Sequence, residues 1–159
     1  MEFLYEDELD QAIKAILGED ECCAAVAFWG KGASDLLKKK NRGAKAKIIC
    51  NLMSGGTNPY EVEKLMKIAH VKQLNDLHAK VYIGRDSSIV ASANVSGNGL
   101  GLEGLEQNRW REAGLKSKDL GFNHEVQQLA RAPHCRGVRS VFGIRGTFVA
   151  GCSTCSQSF

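Results

Sequence analysis

His78-Ala79-Lys80 and Ser92-Ala93-Asn94 place an imidazole, an ammonium, a hydroxyl and a primary amide within one short stretch of chain. Together these groups suit chemistry at a phosphate ester. An imidazole can attack phosphorus, while an ammonium and neutral donors hold the non-bridging oxygens and stabilise the added charge as phosphorus becomes five-coordinate. The polar outer side of a half-exposed hairpin would account for any one of them. Four in register is what favours chemistry.

To act together these side chains need a common platform, and the pattern around them predicts a β-hairpin. Leu77-His78-Ala79-Lys80-Val81-Tyr82-Ile83 and Ile89-Val90-Ala91-Ser92-Ala93-Asn94 alternate with period two. A three-residue turn at Arg85-Asp86-Ser87 would set 78 opposite 94, 80 opposite 92 and 82 opposite 90. Cross-strand partners and residues two apart share a face. On that register His78, Lys80, Ser92 and Asn94 converge on one side. Ala79, Val81, Ile83, Ile89, Ala91 and Ala93 form an apolar opposite side.

The remaining elements are expected to support this hairpin. Leu9, Ile13, Ile16 and Leu17 predict a helix over 7–17 that Gly18 stops. The apolar run 22–29 predicts a strand buried on both faces, 33–40 a short helix and 45–51 another buried strand. Asn58-Pro59 opens a helix, with Glu61 where a capping box wants a carboxylate. Residues 97–101 read as a loop, 110–115 as a strand and 123–130 as a helix begun by Asn123. The order predicts an α/β fold, a mixed sheet flanked by helices on both faces. It divides into a main domain over 1–130 and a tail over 131–159 that reads as an irregular extension or a partly disordered one.

Composition narrows the class. The 159 residues are enough for one hydrophobic core. No apolar run nears the roughly 20 residues of a membrane span, so stable insertion in a bilayer is not expected. The acidic start Glu2…Glu6-Asp7-Glu8 is unlike a secretory signal, so a cytoplasmic protein is expected. Four of the 21 basic side chains and none of the 18 acidic ones lie beyond Glu125. Residues 1–125 thus hold 17 against 18, net −1, and only a local patch could attract a polyanion. Lys38-Lys39-Lys40-Asn41-Arg42, with Lys45 and Lys47, is such a patch, or simply a solvated helix end. Trp29 borders the cleft or belongs to the core. Cys22, Cys23 and Cys50 read as reduced core residues, whereas Cys135, Cys152 and Cys155 could bind zinc or stay as exposed thiols. A zinc site on these is not expected.

Around the hairpin the chain resembles the phospholipase D superfamily, whose signature is a histidine, any residue and a lysine, then an aspartate and a Gly-Ser-x-Asn run. His78-Ala79-Lys80 matches the first part and Ala91-Ser92-Ala93-Asn94 the last, with alanine for glycine. The aspartate would fall at Arg85, with Asp86 next to it, and the Lys80-to-Asn94 interval is one residue short. The resemblance spans roughly residues 3–130. It implies a metal-independent phosphodiesterase without cofactor, in which His78 forms a phosphohistidine and Lys80, Ser92 and Asn94 bind the substrate phosphate. Glu112 is the match for a glutamate that supports the histidine across the active site. One motif per chain implies a homodimer with the site on its twofold axis. Nucleic acid is the favoured substrate. A phospholipase or phosphatidyl-transfer activity, and a non-catalytic nucleic-acid-binding module, are the alternatives. His70-Val71-Lys72 spells the same tripeptide but should only end the helix begun at Asn58.

Overall fold

The computed structural model describes residues 1–37, 46–104, 109–130, 136–138 and 152–153. Nine strands form one mixed sheet: β1 (Glu2–Tyr5), β2 (Cys23–Val26), β3 (Ala46–Cys50), β4 (Ala69–Gln73), β5 (Lys80–Ile83), β6 (Ser88–Ala91), β7 (Ala113–Ser117), β8 (Arg136–Val138) and β9 (Cys152–Ser153). Their spatial order is β1-β7-β6-β5-β2-β3-β4-β8-β9. The pairs β2–β3 and β3–β4 are parallel, and every other neighbouring pair is antiparallel.

Helices cover both faces, as the α/β reading expected. On one face lie α1 (Glu6–Gly18) and α2 (Pro59–Ile68), whose Leu9, Ile13, Leu17, Val62 and Leu65 join Ala24, Val26, Ile48 and Tyr82 of the sheet in the larger core. On the other, α4 (Leu120–Ala130) brings Val126 against a smaller core of Ala25, Ile49, Leu77, Val81 and Ile83. Successive residues of β2 enter opposite cores because strand side chains alternate. That is why 22–29 reads as a continuous apolar run. A one-turn helix α3 (Gly97–Leu100) is capped by the Ser96 hydroxyl, which accepts from Gly99 N at 3.2 Å.

The hairpin exists, but its register differs from the expected one by one residue. Gly84 N donates to Ser87 O at 2.9 Å, leaving only Arg85 and Asp86 in the loop. The Glu19 carboxylate accepts from Arg85 N at 2.6 Å and pins the turn from outside. Two-residue loops match the twist of their flanking strands, which favours this shorter connection. Val81 therefore faces Val90, Tyr82 faces Ile89 and Ile83 faces Ser88. The expected single apolar side is split: Ile89 and Ala93 enter the α1-side core, while Val81 and Ile83 enter the α4-side core.

Other elements differ in detail. β2 ends at Val26, and Trp29 makes only an isolated bridge to Val95. The helix expected over 33–40 is a 3₁₀ turn over Ala33–Leu37, and 38–40 lie outside the described residues. Asn58 caps α2 by accepting from Tyr60 N and Glu61 N, but Glu61 does not complete a capping box. Its buried carboxylate accepts instead from Ser34 N at 2.7 Å and tethers the 3₁₀ turn. Burial raises the Glu61 pKa, yet the hydrogen bonds from Ser34 and Lys64 outweigh it and hold the group below its ordinary value. His70 and Lys72 lie in β4 rather than at a helix end. β7 starts three residues later than expected, α4 starts at Leu120, the 97–101 loop contains α3, and β1 was not anticipated. Beyond Ala130, the described segments β8 and β9 continue the sheet past β4.

Candidate active site

The strand ends, not a shared sheet face, bring the polar groups together. Beyond Val26 the chain runs between the two arms of the hairpin. Ala27 N donates to Ala79 O at 2.9 Å on one side. On the other, Phe28 N donates to Asn94 Oδ1 at 3.3 Å and Gly30 N to Val95 O at 2.7 Å. His78 precedes β5, and Ser92 and Asn94 follow β6. The parted arms therefore present their polar residues around residues 27–30. A cleft of about 580 Å³ opens there, lined by His78, Lys80, Ser92, Asn94 and Glu112 together with Phe28 and Trp110. All five site residues read from the sequence line this one cleft.

His78 is exposed and its ring meets Phe28 edge-on, with centroids 6.0 Å apart. Lys80 is buried; its Nζ lies 2.9 Å from His78 O and 3.2 Å from His78 Nε2. An ammonium has donors only, so when Lys80 is charged Nε2 must be the accepting, unprotonated nitrogen. Burial pulls the Lys80 pKa below its ordinary value, and the Glu112 charge opposes that shift without cancelling it. A dianionic or monoanionic phosphate oxygen would satisfy the ammonium better than the carbonyl it now holds.

Ser92 and Glu112 form a unit of their own. The Ser92 hydroxyl donates to the Glu112 carboxylate and accepts from Ala113 N at 3.1 Å. Within one chain Glu112 thus touches Ser92 and not His78. Asn94 spends its carbonyl oxygen on Phe28 N, which leaves its NH₂ as the donor it can offer a phosphate. Two contacts hold this arm in place. The buried Tyr82 hydroxyl donates to Ala93 O at 2.7 Å, and Gly99 backs against the Asn94 main chain so closely that a Cβ there would lie 2.3 Å from Asn94 O. Burial, with the nearby Glu112 charge in support, raises the Tyr82 pKa well above normal, so the hydroxyl stays a donor.

Sequence reasoning missed Phe28 and Trp110. It proposed Trp29 as a border of the cleft, but Trp29 is fully buried with Nε1 bonded to Val26 O at 3.0 Å. Its neighbour Phe28 takes the cleft side. The signal for Trp110 was present: a lone aromatic in Gln107-Asn108-Arg109-Trp110-Arg111-Glu112, a stretch with no core to enter. Asp86 is exposed in the turn and does not line the cleft; neither His70 nor Lys72 does. Lys38 to Arg42, Lys45, Cys135 and Cys155 lie outside the described residues. Among the described residues no group of three or more His, Cys, Asp or Glu side chains could hold a metal ion. No helix among them is long and apolar enough to cross a membrane.

This arrangement of sheet and cleft is a phospholipase D-like fold. NucT from Helicobacter pylori superposes with a TM-score of 0.66 at 19% identity, over 86% of this chain and 97% of that one. Nuc from Salmonella typhimurium, a phospholipase D family member, gives 0.65 at 14% identity over 87% and 97%. Phosphatidylserine synthase from Haemophilus influenzae gives 0.62 at 13% identity, over 84% of this chain but 36% of the larger enzyme. No protein-family model and no curated protein matches the chain by sequence.

Proposed function

We propose that the protein is a metal-independent phosphodiesterase that cleaves nucleic acid through a phosphohistidine, with its active site shared by two copies of the chain. The observation that carries this reading is the meeting of His78, Lys80, Asn94 and the Ser92–Glu112 pair in one open cleft at the strand ends. His78 Nε2 attacks phosphorus and the P–O bond to the leaving group breaks. The departing oxygen takes a proton from a second imidazole, which then deprotonates the water that hydrolyses the phosphohistidine. Lys80 and the Asn94 amide hold the non-bridging oxygens throughout.

Among the described residues one chain contributes a single histidine to the cleft, so in this reading the second imidazole is the partner's His78, brought opposite by twofold symmetry. The same symmetry would turn each Glu112 toward the other copy. One imidazole acts as the nucleophile while the other acts as the general acid.

The test is cleavage of an oligonucleotide in EDTA. Wild type should turn over, and His78→Ala should lose at least about a thousandfold in rate while still binding the substrate. His78 is exposed, so folding should be unaffected. Activity that disappears in EDTA would contradict the histidine mechanism. Equal binding by both proteins with turnover by neither would leave a nucleic-acid-binding module. The likeness to phosphatidylserine synthase motivates a second reading, phosphatidyl transfer. Release of headgroup from phosphatidylcholine vesicles, with oligonucleotide untouched, would select it.

A further inference from the structure

We propose that Trp110 is a stacking platform for an unpaired base, making the cleft selective for single-stranded over double-stranded nucleic acid. This rests on the nucleic-acid reading above and adds to it a strand preference and the residue that sets it. Trp110 is 64% exposed, although it lines the same cleft as His78 and Lys80. Its place in the cleft, rather than its exposure alone, is what suits it to a ligand, since an indole offers a large rigid face with one polar edge.

The backbone that carries Trp110 is anchored on every side. Trp110 N donates to Asn98 O at 2.7 Å. On one flank Arg109 forms ion pairs with Asp7 and Asp10 of α1; on the other Arg111 lies 3.6 Å from Glu6. Arg109, largely buried, ties the segment to α1, and Glu6 N donates to Glu112 O at 3.0 Å, so the aromatic side chain between these two points is presented on a tethered base. Across the cleft Phe28 is equally constrained. It stands edge-on to His78, and a Cβ on Gly56 would meet its ring at 2.5 Å.

The cleft therefore has a phosphate-holding floor at His78 and Lys80 and aromatic groups among its walls. A base in a duplex has both faces occupied by its neighbours, whereas an unpaired base offers one to an indole. Stacking of this kind tolerates any base. A glycerol headgroup has no flat face to present, whereas a choline headgroup meets an indole as a cation over its face. Quenching by phosphatidylcholine vesicles would therefore also count against the proposal.

Two tryptophans make the proposal measurable, because Trp29 is buried and only Trp110 is open to ligand. In the His78→Ala background, a dodecathymidylate should quench the exposed tryptophan. A duplex of the same length and phosphatidylglycerol vesicles should not. By anisotropy of a labelled strand, adding Trp110→Ala should weaken dodecathymidylate binding about tenfold, with duplex binding changed less than twofold. Trp110→Phe should recover most of the loss, which a merely unfolded loop would not allow. Equal weakening for both strand forms, quenching by vesicles alone, or conversion of the Trp110→Ala protein to a lighter species by light scattering would each overturn the proposal. Strand-selective binding without any turnover by wild type would instead leave the stacking role standing and remove the phosphodiesterase reading.

Discussion

The two faces of the sheet are finished differently. Under α1 and α2 the core runs unbroken from Leu4 and Leu9 through Tyr82 and Ile48 to Val71. On the α4 side it stops after Val81 and Ile83. The next side chains in that row are Val90, Leu115 and Phe3, ladder partners across β6, β7 and β1, and they are 39%, 43% and 64% exposed. Tyr5, on the same side, stacks on Phe3 with ring centroids 6.4 Å apart and is 55% exposed. A row of apolar groups in register, left in water, marks a contact surface. It also runs to the cleft, since Ser92 lies two residues beyond Val90 and Tyr5 faces Ala113 beside Glu112. One face holds the chain together; the other leaves a row of apolar groups exposed beside the cleft, which is what the proposed shared site would require.

Among changes to the open row, replacing Leu115 by Asp should therefore have the largest consequence for function. The expected result is a monomer by light scattering and a fall in cleavage rate of at least about a hundredfold, with the melting temperature nearly unchanged. A Leu115→Asp protein that remains dimeric and active would sever the open row from the site.

On the covered face the same kind of change should act on stability. Ile13→Ala removes a side chain with no exposed surface and should cost about 2–5 kcal/mol in denaturant unfolding. Phe3→Ala, measured at concentrations where the chain is monomeric, should cost no more than about 0.5 kcal/mol. Similar costs for both would show that the row is not open.

At the join between the two regions, function and stability should move in opposite directions. Burial disfavours the Lys80 ammonium, so Lys80→Met should abolish cleavage yet raise the melting temperature at neutral pH. The sign with pH follows from the lowered pKa. The penalty is fully present while Lys80 is charged in both states and fades as pH rises through its folded pKa toward the ordinary value of 10.5. The melting-temperature gap between the variant and wild type should narrow over that range. A gap independent of pH would mean the gain came from packing.

Elements with strong local signals were legible in the sequence. The spacing of Leu9, Ile13, Ile16 and Leu17 identified α1, Asn58-Pro59 the start of α2, and the apolar run around Ile48 the strand β3. β1 was invisible because only Leu4 of its four residues is buried, which leaves no alternation to see. β4 was hidden because Ala69 continues the apolar period of α2 before the chain changes conformation.

The site divides in the same way. Residue types and their order along the chain pointed to His78, Lys80, Ser92 and Asn94, and the family resemblance to Glu112; all five line one cleft. How the groups meet was settled by contacts between distant segments. Glu19 fastens the turn at Arg85, residues 27–30 part the hairpin arms, and Tyr82 anchors Ala93. A strand pair can slide by one residue with little change in local preference, so its register belongs to the tertiary contacts that lock it.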